Sequence, residues 1–514
     1  MPNMAYSLQY KSYGGANDKW TNLAYYLNAG YNYKNKYFLT GTMSMEASSR
    51  FGKKAEQGIK LCGVTWGLFP SLQAAWVMSS EKWFNVKGID YLKLTGGYEI
   101  SGNDNIDYYA TRTYFANTQF LDKATALVLE NIQNPKLQWE TTKRYNIGLQ
   151  ASALNNRLNF AIEYFHSNTD HLLTRKAVSD ITGLATMWSN DGSLRNSGVD
   201  FNVNAMLVQR KDWRWQAGFS IGHYKNEITA LPSTSLNTIR TYALDDNGNR
   251  IAETEKQIHG YTSSVYGTNN ILTAVGHAAG VFYGYKTAGV FSSDAEARAA
   301  GKDGNYLRYP TGLAEQPSRD FKAGDVHFVD QNGDGWINEA DMVVIGDPNP
   351  DIYGNIYTSL SWKGLKLDVN FKYSLGNDVF NYQRSQLEAL NNNWNQTTAA
   401  VNRWRYEGQK TDIPRAMDPT STQWVNNERF SDRWIEDGSY LKLKNIRLTY
   451  NVPVNLSWLL GLSVWGECNN VFTISKYTGN DPEFSAGNGV LYQGIDAGYL
   501  TQGRNFNLGV TINL

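Results

Sequence analysis

Residues 199–221 read VDFNVNAMLVQRKDWRWQAGFSI, and this stretch decides the fold class. Apolar side chains occupy every second position on both sides of a short polar break at Lys211-Asp212. A period of two places all the apolar side chains of a strand on one face. The stretch therefore predicts two antiparallel strands joined by a tight turn, each with one apolar and one polar face. The alternating apolar positions are Val199, Phe201, Val203, Ala205, Leu207, Trp213, Trp215, Ala217, Phe219 and Ile221.

The same alternation recurs along the whole chain, in about a dozen segments. Several of these segments reach about ten residues, the length that a tilted strand needs to cross a bilayer. Short polar turns alternate with long loops, and Tyr and Trp cluster at the strand ends, as expected for the interfacial girdles of a membrane barrel. The clearest further segments are residues 23–33, 37–45, 92–100, 145–153, 158–164, 365–373 and 506–514.

Composition narrows the class of protein. Lys plus Arg and Asp plus Glu both number 48, so the formal charge is zero, which argues against a nucleic-acid-binding protein. The mean hydropathy is −0.49, and no apolar run approaches the about 18 residues of a membrane-spanning helix. Strands with one polar face look hydrophilic on average, so these values still allow a transmembrane barrel.

The predicted fold class is all-β: an antiparallel transmembrane β-barrel with long external loops. Three stretches interrupt the alternation, and we expect them to form loops. They are residues 103–130, the region 226–351 and the region 382–432, in which residues 387–405 could include a helix. A soluble β-sandwich or solenoid with one buried face is the alternative, but soluble strands are usually shorter.

One loop has the spacing of a calcium site. Residues 330–341 read DQNGDGWINEAD, which places oxygen donors at positions 1, 3, 5, 9 and 12 and glycine at position 6. No clear amphipathic helix flanks it, so the sequence predicts a structural Ca²⁺ site rather than a sensor, and an Asx-rich turn without metal is the alternative. The predicted ligands are Asp330, Asn332, Asp334, Trp336 through its carbonyl, Asn338 and Asp341, with Asp replacing the usual Glu at position 12.

Nothing in the sequence indicates an enzyme. The six histidines form no H-E-x-x-H pattern, and neither a nucleophile elbow nor a phosphate-binding loop occurs. Cys62 and Cys468 lie far apart and indicate neither a disulfide framework nor a metal site. His166 and His171 are expected near the end of a strand.

Local strings of the sequence resemble the SusC/RagA-type TonB-linked outer-membrane proteins. Ser49-Arg50-Phe51-Gly52 followed by residues 66–76 is similar to the family's S-R-F-G and W-G-x-F-P-S runs, and residues 134–142 to its N-P-x-L-x-W-E-T-T run. The similarity extends in family order over almost the whole chain. Further matching strings are residues 92–98, 102–103, 196–200, 280–285, 324–325, 345–350, 435–445 and 477–483.

The resemblance implies the C-terminal part of a 22-stranded TonB-dependent transporter barrel, with residues 1–514 as a partial barrel. Family members begin with a signal peptide, a small domain, a TonB box, a plug and the first strands. Met1-Pro2-Asn3-Met4 shows no leader pattern, so the chain is expected to be a truncated or split member.

The implied function is nutrient import, of an oligosaccharide or peptide, across the outer membrane of a Bacteroidota-like bacterium. The implied partners are a SusD-like lipoprotein, outer-membrane lipid and, through the plug region alone, TonB-ExbB-ExbD. Two alternatives remain open: a non-transporting surface adhesin or scaffold with a calcium-stapled loop, and a secreted carbohydrate-active enzyme, which would need two carboxylates in a deep cleft.

Overall fold

The structure is a computed structural model that describes residues 18–52, 54–120, 124–184, 186–244, 249–267, 270–313, 316–454 and 458–513. Met1–Met4, which lack a leader pattern, and Leu514, the last position of the final alternating segment, lie outside these ranges. The described part of the chain is mostly β-strand.

The strands are numbered in chain order. They are β1 (Asn22–Tyr33), β2 (Tyr37–Ser48), β3 (Ile59–Leu61), β4 (Val64–Val77), β5 (Ile89–Asn103), β6 (Tyr114–Phe120), β7 (Ala124–Asn131), β8 (Glu140–Ala153), β9 (Leu158–Ala177), β10 (Thr186–Gln209), β11 (Trp213–Ala230), β12 (Leu236–Leu244), β13 (Arg250–Ser263), β14 (Ile271–Ala274), β15 (Val281–Gly284), β16 (Thr287–Val290), β17 (Arg308–Leu313), β18 (Gln316–Asp320), β19 (Val326–Phe328), β20 (Val343–Gly346), β21 (Ile352–Trp362), β22 (Leu365–Leu375), β23 (Asp378–Asn381), β24 (Ile435–Asp437), β25 (Tyr440–Val452), β26 (Gly461–Ser475), β27 (Ile495–Asp496) and β28 (Asn505–Asn513).

Helices are few and short in the described residues. Two are α-helices, α1 (Asp294–Ala300) and α2 (Tyr382–Leu387). The rest are single 3₁₀ turns at Met78–Ser80, Asp180–Thr182, Ser233–Ser235, Lys302–Gly304, Glu339–Asp341, Thr398–Asn402, Asp432–Trp434 and Val490–Tyr492. In this part of the chain, no helix has both the length and the apolarity to cross a membrane.

One large antiparallel sheet organises the chain. Its strands follow the order β1-β2-β4-β5-β8-β9-β10-β11-β21-β22-β25-β26-β28, and β3 pairs with β4 beside this path. Every neighbour in this order is the next sheet strand along the chain, so the topology is an up-and-down meander. Within the described residues, β1 and β28 pair on one side only. The sequence-based prediction of long antiparallel strands is confirmed.

Short turns close one end of the sheet. The β1–β2 turn uses Lys34 and Asn35 in the left-handed region, with φ of 53° and 54°, and Lys36 donates its N–H to the Tyr33 carbonyl. The β10–β11 connection spans only residues 210–212, as residues 199–221 predict. The connections at the other end are long, with the excursion between Ala230 and Ile352 the longest.

The apolar face of the sheet is exposed rather than covered by a second layer. Leu72, Ile147 and Leu448 lie on strands with neighbours on both sides, yet they are 52%, 54% and 52% exposed. A soluble sandwich would bury these side chains, so that alternative is wrong. An apolar belt of this kind suits contact with acyl chains.

Aromatic side chains gather beside the short turns. The rings of Tyr33 and Tyr37 lie 6.4 Å apart, Tyr37 stacks on Trp76 at 6.3 Å, and Trp213 stacks on Trp362 at 5.6 Å across β11 and β21. These positions are half-exposed or exposed. They form the girdle expected where the wall meets the lipid headgroups.

The long connections contain more regular structure than the sequence predicts. Residues 103–130, expected as a loop, include the β6–β7 hairpin, and β11 continues to Ala230 instead of ending near Asn226. Within 226–351, β12–β13–β14–β15–β20 form a second sheet. β9 runs on to Ala177, so His166 and His171 lie inside it rather than near its end. β14, β15 and β20 have only four residues each, which is too short for a period of two to appear, and the extensions of β9 and β11 consist largely of polar residues.

Three of these connections share hydrophobic cores. We call residues 231–351, 376–439 and 476–504 the loop layer. One core combines Ile271 and Phe282 with Phe380, Phe430 and Ile495, and thus joins all three segments. A second core joins Phe291, Phe321 and Phe328 to Val425. The loop layer is therefore folded by burial of its own.

Candidate metal centre and loop layer

The calcium-type loop folds around its own carboxylates. Asp330 accepts the backbone N–H groups of Gly333 and Gly335, both at 2.7 Å, and Asp334 accepts that of Trp336 at 2.8 Å. Asn332 accepts the N–H of Asp334 at 3.0 Å. Gly335, at position 6, has a φ of 87°, which favours glycine because it lacks a Cβ. This backbone turns as a calcium loop requires.

Asp341, at position 12, closes the calcium-type loop. Its carboxylate has no exposed surface and accepts the N–H groups of Gln331 at 2.9 Å and Asn338 at 2.8 Å. Asn338 in turn accepts the N–H of Ala340, which completes a capping box around the turn Glu339–Asp341. Burial raises the pKa of Asp341 to about 6, its two backbone hydrogen bonds oppose that rise, and the charges of Asp330 and Asp334 add to it.

The oxygen donors of this loop are of the type that binds a hard cation. They are not, however, arranged as a complete set of ligands around one point. Three carboxylates, two amide oxygens and a backbone carbonyl are oxygen donors of the kind that Ca²⁺ prefers. In the described ranges, however, no group of three or more His, Cys, Asp or Glu side chains is arranged to hold a metal ion. If a cation binds, Asp330, Asn332, Asp334, Asn338, Asp341 and the Trp336 carbonyl would hold it, and its charge would offset their mutual repulsion. Calcium binding stays a prediction.

The back of this loop is fixed to the rest of the loop layer. Arg308 exchanges backbone hydrogen bonds with the loop, to the carbonyl of Gly335 at 3.1 Å and from the N–H of Ile337 at 2.7 Å. The Arg308 guanidinium lies 4.9 Å from the Trp336 ring centroid. Lys256, on β13, donates to the carbonyls of Ala340 and Met342. The loop is thereby fixed to β13 and β17.

A buried ion pair joins the first two segments of the loop layer. Asp325 has no exposed surface and accepts both Nε and Nη2 of Arg415, at 2.8 and 2.7 Å. Asn427 donates to the same carboxylate at 3.0 Å. Burial raises the pKa of Asp325, while the hydrogen bonds and the charge of Arg415 oppose the rise. Beside the pair, Gly324 has a φ of 84°, and a Cβ there would meet the ring of Trp404.

The C-terminal strings that resemble the family meet in one polar network on the polar face of the large sheet. Lys442, whose side chain is 3% exposed on β25, donates to Asp481 at 3.1 Å and to Glu483 at 2.8 Å. Lys372 on β22 also donates to Glu483. Burial alone would raise the pKa of Glu483, but these hydrogen bonds and charges lower it to about 2. The third loop segment is thus tied to the polar face of the sheet.

The N-terminal signature strings meet in a hydrophobic cluster where β4, β5 and β8 join the long loops. Phe51 packs against Trp139 with ring centroids 4.6 Å apart, and Phe69 lies 6.2 Å from the same ring. The guanidinium of Arg50 lies 4.8 Å from the Trp20 ring and 5.1 Å from that of Tyr108. These strings therefore supply packing at the wall rather than chemistry.

The loop tryptophans play different parts. Trp394 is 69% exposed, whereas Trp404 donates its indole N–H to the Ser292 carbonyl at 3.2 Å. Trp188 donates to Asp107 at 3.2 Å, and Arg175 covers its ring at 4.6 Å. Sequence reasoning missed Arg415, Lys442 and Glu483, because nothing local marks a charged residue whose partner lies far along the chain.

The sequence model of the family described as TonB dependent receptor-like, beta-barrel, matches residues 2–312. TonB-dependent receptor P26 of Formosa agariphila is 30% identical over 493 residues, which cover 94% of this chain and 45% of the relative. TonB-dependent receptor SusC of Bacteroides thetaiotaomicron is 27% identical over 513 residues, covering 96% and 44%. The chain spans less than half the length of these relatives. Their names are those of receptors, in agreement with the prediction that the chain is not an enzyme.

A solved structure shows the same fold. The structure of the RagAB peptide transporter superposes on this chain with a TM-score of 0.72 at 22% sequence identity. The match covers 96% of this chain and 48% of the other chain. The overall fold of this chain therefore also occurs in a solved structure.

Proposed function

Because this chain belongs to the TonB dependent receptor-like, beta-barrel family, whose SusC and RagA relatives are outer-membrane proteins, we propose that it forms wall and external loops of a nutrient importer. The observation that carries the proposal is the division of the sheet into two faces. Its apolar face is exposed as a belt, whereas loop carboxylates such as Glu483 bind lysines on its polar face. A wall of this kind separates lipid from a polar passage.

The proposed cargo is an oligosaccharide or a peptide. Exposed aromatic side chains in the loop layer, such as Trp394, offer faces on which sugars or apolar side chains could stack. The similar RagAB complex is named a peptide transporter, which supports the peptide as one of the two candidates. Energy would come from TonB-ExbB-ExbD through a plug that the wall surrounds.

The proposed partner is a SusD-like lipoprotein that covers the loop layer. A lid needs a surface of defined shape to close on. The shared hydrophobic cores hold the loop segments in fixed positions, so that the loop layer has such a surface. Structural Ca²⁺ in residues 330–341 would stabilise that surface, because it would order a loop whose polar side chains cannot be ordered by burial alone.

Uptake in the bacterium that encodes the chain tests the proposal. We expect a strain without the gene to lose growth on one class of nutrient, either oligosaccharides or peptides supplied as sole carbon source. A tagged copy should fractionate with the outer membrane and retain a lipoprotein after detergent extraction. Arg298→Gln, a change at an exposed helix position, is a control that should restore growth.

Two results would count against import. If the deletion strain grows normally on all oligosaccharides and peptides but no longer adheres to a surface, the adhesin alternative is correct. If the protein is recovered from the periplasm or medium in a soluble form, the membrane assignment fails as well.

A further inference from the structure

A cavity of about 480 Å³ lies between β12, the start of β13, β17 and the back of the calcium-type loop. Its lining includes Arg240 on β12, Arg250 at the start of β13 and Arg429 in the segment 376–439. The lining also includes one carboxylate, that of Glu339. Arg240 forms ion pairs with Glu253 and Glu255, at 3.6 and 3.9 Å, so Arg250 and Arg429 carry the positive charge of the cavity.

Arg429 is held in a cage of aromatic rings. Its guanidinium carbon lies 4.5 Å from the ring centroid of Tyr309 and 5.6 Å from that of Tyr285, and both tyrosines line the cavity. Phe321 and Phe328 lie 5.3 and 5.4 Å away on the other side. Ring faces attract the delocalised charge, but they do not satisfy the N–H groups in the guanidinium plane.

The Nη1 atom of Arg429 is buried and has no hydrogen-bond partner among the described residues. A buried guanidinium that lacks an acceptor is costly, because it has lost water without a replacement. The arrangement therefore calls for an acceptor that the described part of the chain does not provide.

A second lining residue lacks a partner in the same way. The hydroxyl oxygen of Thr241, on β12, is buried without a hydrogen-bond partner in the described ranges. The guanidinium carbon of Arg250 lies over the Tyr242 ring, 3.8 Å from its centroid, and this contact favours one position of the charge. Two residues with a buried, unsatisfied donor and one positioned cation thus belong to the lining of one cavity.

From these donors we propose that the cavity binds an oxyanion, a carboxylate or sulfate group carried by a small ligand. Two oxygens of such a group can accept from a planar guanidinium, and a third contact can come from a hydroxyl. Tyr242, Tyr285 and Tyr309 supply ring surface for the part of the ligand that bears the charge. The proposal does not depend on the proposed transport function, because equilibrium binding of the ligand tests it without any measurement of uptake.

Calorimetric titration of the detergent-solubilised protein, assembled with strands that pair with β1 and β28, tests the proposal with five probes. Inorganic sulfate, glucuronate and glycine carry an oxyanion, whereas glucose and glycinamide are the compounds without one that match glucuronate and glycine. We expect at least one oxyanion probe to bind at or below about 10 mM and the compounds without one to bind at least about tenfold more weakly. The tightest probe identifies the source of the charge as an inorganic ion, an acidic sugar or a peptide terminus.

Two substitutions connect the binding to the cavity. Arg250→Gln should weaken the oxyanion by about tenfold, and Thr241→Val, which keeps the shape of the side chain, by about threefold. Arg298→Gln is the matched control, because Arg298 is also exposed and also stacks on a tyrosine, Tyr306, at 4.2 Å, but does not line this cavity. It should leave binding unchanged.

Arg429→Met removes the guanidinium but also changes the aromatic cage, so this variant does not test the proposal by itself. The far-ultraviolet circular dichroism of each variant is recorded first, to show that the variant is folded. The proposal fails if no oxyanion probe binds at about 10 mM. It also fails if glucose or glycinamide binds as tightly as its charged counterpart, or if folded Arg250→Gln and Thr241→Val proteins bind like the Arg298→Gln control.

Discussion

Asp341 is a carboxylate without exposed surface at the centre of a loop with two other acids, and its pKa is raised to about 6. Below about pH 4 it is protonated in both the folded and unfolded chain, so burial has no electrostatic cost. Above about pH 6 it is charged in both states, and the folded loop then bears a penalty of about 3 kcal/mol. Without metal, the local stability should therefore fall as the pH rises from about 4 to about 6.

Hydrogen exchange of residues 326–344, corrected for the intrinsic pH dependence, measures this effect. In EDTA we expect less protection at pH 7 than at pH 5, and we expect added Ca²⁺ to restore protection at pH 7 because it binds the ionised carboxylates. Asp341→Asn should abolish both responses. Glu339→Gln, at an exposed position of the same turn, is the control that should keep them. Equal protection with Ca²⁺ and with EDTA at pH 7 would show that the loop is an Asx-rich turn without metal.

The Asp325–Arg415 pair gives a second prediction at the level of single residues. Asp325→Asn leaves the half-buried guanidinium of Arg415 without its counter-ion, so the loop layer should lose about 3 kcal/mol of stability, the low end of the range for buried pairs. Lys136→Gln breaks the pair between Lys136 and Glu56, whose side chains are 70% and 65% exposed, and should change nothing measurable. Thermal unfolding followed by tryptophan fluorescence compares the two variants. A loss of similar size in both would contradict the structural role of burial.

Strands and loops differ in how far the sequence predicts them. The long strands were predictable because one face meets an apolar environment, which imposes the period of two seen in residues 199–221. The calcium-type loop was predictable because its donors lie within twelve residues of one another. The ion pairs of the loop layer were not predictable from the sequence, because their members lie far apart along the chain. Asp325 and Arg415 are 90 positions apart, and Lys442 and Glu483 are 41 apart. Their pairing depends on how the loops cross, which a local pattern does not record.

The two faces of β11 give a prediction for a whole strand. Phe219 lies on the apolar face, six residues beyond Trp213, which lies beside the short turn. Phe219→Arg should destabilise the membrane-assembled protein by about 2–4 kcal/mol, and Trp213→Arg by about 0–1 kcal/mol, because the cost of a charge depends on depth.

Guanidinium unfolding of the assembled protein in lipid vesicles measures these differences. Asn202→Arg, on the polar face of β10, is the control and should have little effect. If Phe219→Arg is as well tolerated as Asn202→Arg, the apolar face does not contact acyl chains.

At the scale of the whole molecule, the sheet has two edges that the described strands leave unpaired, β1 and β28. Open edges are not tolerated in lipid, because no water is present to satisfy the backbone groups. We therefore predict that the polypeptide of residues 1–514 assembles only when further strands, covalently attached or co-expressed, pair with both edges.

Mobility on gels before and after boiling measures closure. Expressed alone, the chain should be degraded or aggregated and show no heat-modifiable band; expressed with a segment that supplies the remaining strands of a relative, it should show one. Purification of the chain alone from outer membranes as a closed, heat-modifiable monomer would overturn the prediction. The sequence led to the same expectation through family length, whereas the structure adds that, among the described strands, β1 and β28 each have one neighbour.

The excursion between Ala230 and Ile352 leaves the wall from β11 and returns on β21, and these two strands are hydrogen-bonded neighbours, with Gly222 opposite Tyr353 and Trp213 opposite Trp362. Because the chain leaves the sheet on one strand and returns on the neighbouring strand, the excursion is an insertion between two paired strands, and we call it a cassette. Evolution can lengthen, shorten or exchange it between homologues without altering the register of a single wall strand. New ligand preferences can then arise by recombination of this cassette while selection for membrane insertion keeps the scaffold constant.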